Sequence, residues 1–515
     1  MLDARSSLNM FRSKTGDFWG PTTAKVPDGW ARWDAAARWA LLGALVLSTA
    51  LIAQNIAQAA FWRDDDLQYA IPKLMDMRVR DEGRWLNYLL YPLIRHFNGL
   101  WAWWIGFLCT FFFFFRVSRP YVSDGRLAFA VALMGLQYPG FYAQSLWPVF
   151  CLPGAMVLAF AAAWGHRLPL PLFFAVFGCL LLGSNTQLYF FLPLLFLGPR
   201  SLSVNAPWKK SAQGVALWIL GFVIGFGFAS GMNVLLVGQW GIQLASWRAI
   251  NPIVDLVSAL ENGATRLEHA QLHLEALLAG DRWIWLLPAT LWMVGFQVRV
   301  GRGRWLLAAS CVLVLMASAI YGVTLYHGIW IDYRTTHALF LGGLFLFLLP
   351  SVGHRAQSFY CWAVFALFVA PMSWQSEAET RWFARVSGVM AEDLKQLDLP
   401  ETARLIVDAQ DLDAYSQGVE TRAGLAPPLF MQRLDGWFRW RGCASSLGFT
   451  EVIWCRTKPG EWSDSEPALC EEKLSPYEAA VRSLSPGAKI DVLEVSEQEA
   501  VIRMRPLPDR PLPQR

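Results

Sequence analysis

The chain has 515 residues, 55% of them hydrophobic and only 16% charged, with 27 Trp and 34 Phe. A soluble domain carries roughly 25% charged residues, so the composition excludes an ordinary soluble protein and points to a polytopic membrane protein. The formal net charge of +4 is not gathered into the concentrated basic face that nucleic-acid binding needs, and no nucleic-acid partner is expected.

Charge divides the chain. Residues 373–515 hold 23 acids and 17 bases, while the first 372 residues hold 17 acids and 27 bases. A basic membrane part is joined to an acidic tail. Residues 1–35 read as a cytoplasmic arm, 36–372 as the membrane domain and 373–515 as a soluble domain. The apolar run that follows the arm is long enough to span, which predicts a retained signal anchor rather than a cleaved signal. About eleven stretches satisfy a span criterion of roughly 20 mostly apolar residues. They lie near 36–61, 99–117, 127–146, 148–165, 169–185, 188–198, 214–237, 283–298, 305–326, 336–350 and 358–372.

Short cytoplasmic loops are enriched in Lys and Arg. The arm carries Arg5, Arg12, Lys14, Lys25, Arg32 and Arg38, and alternate loops carry Arg116, Arg119 and Arg126, then Arg167, then Arg200, Lys209 and Lys210, then Arg299, Arg302 and Arg304, then Arg355. These belong on the cytoplasmic side. The first outer loop, 62–98, the segments 238–282 and 327–335, and the tail then face the other side. Residues 85–97 are apolar but too short to span, which predicts an amphipathic helix in the membrane interface. Gly221, Gly225, Gly227 and Gly231 lie in one apolar span and suit close helix packing. In the tail, helix-like runs at 386–397 and 476–484 alternate with strand-like runs at 404–408, 489–495 and 500–504, an α+β pattern. The fold class is therefore mainly α, a polytopic transmembrane bundle with a small α+β domain.

Cys109, Cys151, Cys179, Cys311 and Cys361 fall in spans, where a thiol is usually a small hydrophobe. Cys443, Cys455 and Cys470 fall in the outer tail, where an oxidising compartment permits one disulfide. The sequence does not choose the pair.

The strongest candidate site is Asp64-Asp65-Asp66, directly after the first span, followed by Asp81-Glu82-Gly83-Arg84. Acids are costly near a bilayer and tend to mark function there. A carboxylate can take the proton from an attacking hydroxyl and stabilise a cationic anomeric centre. Neighbouring acids raise one another's pKa, which suits a base. The plainer alternative is a helix N-cap, but one cap needs one Asp rather than three. Three acids could also hold a divalent metal, so metal use stays open.

This pattern resembles the Gtr-type O-antigen glucosyltransferases, within the GT-C class of polyprenyl-phosphate-sugar-dependent glycosyltransferases. Those families pair an aromatic lead-in with two acids and a Leu, as in Asp65-Asp66-Leu67, and an Asp-Gly-Arg element about twenty residues on. The chain departs from the pattern at Gln68 and Tyr69, where many relatives have a base, and at the inserted Glu82. The resemblance implies that Asp65, or else Asp64 or Asp66, is the catalytic base, and that Asp81, Gly83 and Arg84 shape the site. It also implies a late outer-side arginine on the donor phosphate.

That arginine is expected at Arg334, in the loop 327–337, with Arg84 as a second phosphate ligand and Arg63 and Arg248 as competitors. Arg334 could equally pair with Asp332 or with lipid headgroups. The segment 238–282 gathers Glu261, Arg266, Glu268, His269, His273 and Glu275. Its expected role is acceptor contact, with Glu261 and His269 foremost. His269 and His273 share one helix face at a spacing that can bind a metal, although a solvated amphipathic helix is the commoner meaning, and no metal ligand set is assigned.

The expected function is transfer of a hexose, glucose foremost, from a polyprenyl-phosphate donor to a surface polysaccharide or lipid-linked glycan acceptor, at the periplasmic face of a bacterial inner membrane. The absence of a Gly-rich phosphate loop fits a donor carried on a lipid rather than a nucleotide. A lipid-linked polysaccharide flippase, or an O-antigen polymerase or ligase, are the alternatives. A transporter predicts charges inside spans and an internal repeat, and a polymerase or ligase predicts a late catalytic loop.

Overall fold

Continuous apolar runs satisfy their backbone polar groups internally as helices, and helices dominate the chain. The structure, a computed structural model, describes residues 28–58, 72–97, 99–122, 124–144, 147–197, 207–243, 251–277, 282–299, 302–329, 331–348, 357–397, 399–400, 404–425, 449, 451–456, 467–477 and 490–505. These fall into two compact units. The first runs up to Leu51 and resumes as far as Ser376; the second holds the described residues from Ile52 to Gln58 and from Glu377 onward.

The helical unit begins with α1 (Asp28–Gln58), α2 (Pro72–Glu82), α3 (Trp85–Ile94) and α4 (Gly99–Ser118). It continues through α5 (Gly125–Gly135), α6 (Pro139–Gln144), α7 (Pro148–Trp164), α8 (Leu170–Leu182), α9 (Thr186–Tyr189) and α10 (Pro207–Val237). Then come α11 (Leu256–Leu277), α12 (Arg282–Arg299), α13 (Gly303–Val323), α14 (His337–Leu348), α15 (Gln357–Val364) and α16 (Ala370–Lys395). Four of these, α1, α4, α10 and α13, are long and apolar enough to cross a membrane. The predicted helix at 85–97 is present as α3.

Three expected spans have a different form. The run 127–146 is not one helix: α5 ends at Gly135 and α6 begins at Pro139. The break places Gln137 in the core, where its side chain accepts from Ser48 and Ser373 and donates to Thr49. The run 188–198 is a four-residue helix and the 3-10 turn Leu192–Phe196, with Asn185 capping the first and Pro193 inside the second. The run 358–372 passes from α15 through the π-helical turn Phe365–Val369 into α16, which continues to Lys395. Pro371 has no N–H to give the preceding turn, which favours a widened turn there. The helix therefore runs well past the expected boundary at 372.

α8 and α10 pack backbone against backbone. A Cβ on Gly178 would lie 2.3 Å from the Gly221 carbonyl oxygen, and one on Gly225 would lie 2.7 Å from Gly178. Small residues allow this approach. Gly227 and Gly231 face open space and take no part.

In the second unit β1 (Arg404–Asp408), β2 (Glu451–Cys455), β3 (Ile490–Val495) and β4 (Glu499–Met504) form a sheet of order β2-β1-β4-β3. β1 runs parallel to β2 and β4, and β3 pairs antiparallel with β4. α17 (Leu412–Ala423) follows β1, and α18 (Pro467–Leu474) is tied to the end of β2 by a Cys455–Cys470 disulfide. Ile406, Ile453, Leu474 and Val501 pack around that bridge. The three expected strands are present; β2, α17 and α18 were not anticipated. Of the expected helix at 476–484, the described residues belong to the 3-10 turn Ser475–Tyr477, and Cys443 lies outside the described residues.

Candidate functional site

Asp64, Asp65 and Asp66 lie outside the described residues, as do Arg63 and Arg248. The Asp81–Arg84 element is described. It is the corner between α2 and α3, and Gly83 turns it with φ +68°. Only glycine adopts this left-handed conformation readily, and a Cβ there would also lie 2.6 Å from the Ile242 side chain. Glu82 is nearly buried and takes hydrogen bonds from both Arg78 and Arg84. Arg84 also donates to the Ser184 carbonyl at 2.9 Å and lies 4.1 Å over the Phe150 ring. Asp81 accepts from Arg80 at 2.7 Å. Glu82 thus bridges Arg78 and Arg84 at the corner.

The loop 327–337 is held from three sides. Asp332 caps the 3-10 turn Tyr333–Thr336, and its carboxylate lies 3.1 Å from Arg334 Nε. The Arg334 guanidinium stacks 4.4 Å over Trp147. The Tyr138 hydroxyl lies 2.6 Å from Thr336 Oγ1 and donates to the Tyr333 carbonyl at 3.2 Å. Arg334 is therefore positioned by a carboxylate and a ring, and remains a quarter exposed.

The third side is α11, and its orientation corrects the expectation of a solvated helix. Ser258, Asn262, Arg266, His269 and His273 are all buried, at 2–8% exposure, while the leucines of the opposite face are exposed. Asn262 donates to the carbonyls of Asn251 and Leu325. Arg266 Nη1 donates to the Ile329 carbonyl and, at 3.4 Å, to Thr324. His273 Nδ1 lies 2.7 Å from the Tyr321 hydroxyl, and its Nε2 lies 3.1 Å from the Ile331 carbonyl. A ring nitrogen facing a carbonyl must donate, so His273 carries its proton on Nε2 and accepts from Tyr321. Neither nitrogen is left for a metal. Among the described residues no group of three or more His, Cys, Asp or Glu is placed to hold one. Glu261 is exposed on another face and does not join His269.

Arg266 is the feature that sequence reading underrated. It is only 6% exposed, and its Nε and Nη2 have no hydrogen-bond partner. Among the described residues no carboxylate pairs with it. Burial lowers its pKa, and burial together with the Arg266 charge and His273 pulls His269 down to about 4. A buried cation without a counter-ion is costly, and such groups gather at functional sites.

Beside this stripe lies a cavity of about 440 Å³. His273, Tyr321 and Thr336 form its polar end, and Phe340, Leu344, Phe347 and Phe368 line much of the rest. The volume lies within the range of small-molecule pockets, roughly 300–1,000 Å³. Ala270, one turn from Arg266, is part of the wall. An apolar chamber with a few polar groups in its lining, one helical turn along α11 from a cation with no carboxylate partner among the described residues, suits an amphiphile bearing an anionic head.

Fold and site define a mainly helical, membrane-associated chain with a small C-terminal sheet. No known family model matches the sequence, and no curated protein or solved structure matches it.

Proposed function

We propose that the protein is a GT-C-type membrane glycosyltransferase that moves a hexose, glucose foremost, from a polyprenyl phosphate to a surface polysaccharide such as O-antigen. The acceptor hydroxyl attacks the anomeric carbon, the bond to the lipid phosphate breaks, and one carboxylate of the Asp64–Asp66 cluster takes the hydroxyl proton. The phosphate leaves on its lipid with its charge met by arginine. The observation that supports the reading is an apolar cavity whose wall residue Ala270 lies one helical turn from Arg266, a buried cation with no carboxylate partner among the described residues. An isoprenoid chain matches the apolar wall and a phosphate matches the vacant guanidinium donors. Arg334, held by Asp332 and Trp147, is the second cation at the same loop. In this reading Arg84 supports the α2–α3 corner, and Glu261 contacts the acceptor.

The placement is a bacterial inner membrane with the basic arm in the cytoplasm and the sheet domain in the periplasm, as the alternating Lys and Arg loops require. The Cys455–Cys470 bridge agrees with an oxidising compartment.

The test is transfer in vitro from a defined polyprenyl-phosphate glucose by the full-length protein, with and without a chelator. Asp64→Asn, Asp65→Asn, Asp66→Asn and the triple variant are compared with wild type at equal folding. Loss of roughly a hundredfold or more is expected from removing the base. Full activity in the triple variant would end this mechanism.

A further inference from the structure

The orientation of α11 is the reverse of that of a helix on a water-soluble protein. Five polar residues, among them Arg266 and His269, face inward, while Leu260 is 67% and Leu267 is 72% exposed. Leu256 and Leu274 are exposed beside them. At about 100° per residue these four leucines fall within an arc of roughly 40° on the side opposite the polar stripe. Glu261, Glu268 and Glu275 repeat every seventh position and form a separate exposed ridge about 100° away. The helix thus has a protein face, an apolar face and an acidic edge.

We infer that α11 lies in the plane of the membrane surface. Its leucine ridge is immersed in lipid acyl chains, and its end at Leu274 is the lateral mouth of the cavity. The occupant of the ridge is the bilayer itself. The chain enters α11 from α10, whose Ile219, Val223 and Phe226 are also exposed, and leaves it toward the apolar α12, where Leu287 and Leu291 are exposed. Exposed apolar residues thus occur on the helices that precede and follow α11 in the chain as well as on α11 itself. An amphipathic helix with a charged edge and a leucine face is the form that binds at a bilayer interface. Leu274 links ridge to chamber, because it is 55% exposed and also lines the cavity with Ala270 and His273. An isoprenyl chain moving in the leaflet reaches the cavity past Leu274 without crossing water, with its head toward His273, Tyr321 and Thr336. The mouth rests on the proposed function; the in-plane placement does not.

The experiment places p-benzoylphenylalanine at Leu260, Leu267, Leu274 or Glu268 of the full-length protein in nanodiscs of phosphatidylethanolamine and phosphatidylglycerol. Adducts are identified by mass spectrometry after irradiation. Leu260, Leu267 and Glu268 are exposed and lie outside the cavity lining, and Leu274 is exposed at the cavity's edge. Phospholipid adducts are expected at Leu260 and Leu267 at about tenfold the yield at Glu268. Equal yields at the three positions, or a covalent dimer of the 58.0 kDa chain in place of lipid adducts, would overturn the placement. With polyprenyl phosphate added, Leu274 is expected to capture it. Capture of phospholipid alone at Leu274 would overturn the mouth while leaving the ridge in lipid. The adducts form without catalysis, so Asp65→Asn protein must give the same pattern; identical adducts in a protein that transfers no sugar would separate failure of the glycosyltransferase reading from failure of this one.

Discussion

The C-terminal sheet and the α11 stripe each bury an arginine, and they do so on opposite terms. Arg503 crosses from β4 to the end of β1, where its Nε donates to Asp408 at 2.5 Å, and Arg456 approaches the same carboxylate at 3.4 Å. Asp408 is 1% exposed. On α16 and α17, Asp393 likewise accepts from Arg422 and Tyr415. Every buried charge named in the sheet unit has an opposite charge beside it. Among the described residues Arg266 meets a carbonyl and a hydroxyl but no carboxylate. A paired buried charge completes a fold, whereas an unpaired one lowers stability unless a ligand completes it.

The sharpest way to break this comparison is to remove a partner from the sheet. Asp408→Ala strands Arg503 and is expected to destabilise the domain by about 3–5 kcal/mol, seen as loss of the sheet unit's unfolding transition in calorimetry. A domain that melts normally would show that the pair is dispensable and would weaken the contrast. Gly83→Ala is expected to cost about 1–2 kcal/mol, because the corner needs a positive φ and the methyl meets Ile242. Limited proteolysis at the α2–α3 corner would report it; an unchanged cleavage rate would argue that the corner relaxes freely.

A smaller effect should appear with pH. His269 sits near 4, held below its ordinary 6.5 first by burial and then by Arg266. The neutral ring is the form that the folded state prefers. Its contribution is whole above pH 6.5 and is lost as pH falls toward 4. Melting temperature should therefore decline over this window, His269→Gln should flatten the decline, and an anion bound at Arg266 should shift the loss to lower stability cost by raising the His269 pKa. An unaltered slope in His269→Gln would show that other groups govern it.

Much of the helix pattern was legible because apolar runs of span length carry one meaning. β1 was legible to the residue, since Leu405, Ile406 and Val407 form an apolar run, β-branched at Ile406 and Val407, that is fully buried. The break between α5 and α6 is marked by Gly135, Gln137 and Pro139-Gly140 but was passed over, because apolar residues on both sides sustain a run of span length. β2 was missed although Glu451–Cys455 is as long as β1 and carries Val452, Ile453 and Trp454, the run that pairs with β1. The face of α11 was the costliest miss. Periodicity located both faces of that helix, but in a membrane protein it does not say which one faces the protein. The available signal was the polar set at 258, 262, 266, 269 and 273 opposite four leucines.

The account turns on the idle guanidinium donors of Arg266, one helical turn from the cavity wall at Ala270. The direct measurement is the affinity of full-length protein for polyprenyl phosphate, wild type against Arg266→Met, with melting temperature followed in the same samples. The expected result is binding weakened by about 10–100-fold, as befits loss of charged hydrogen bonds worth roughly 1.5–3 kcal/mol, with a melting temperature equal to or above wild type without lipid. Unchanged affinity, or a variant that melts far below wild type while binding normally, would contradict it and make Arg266 a structural residue.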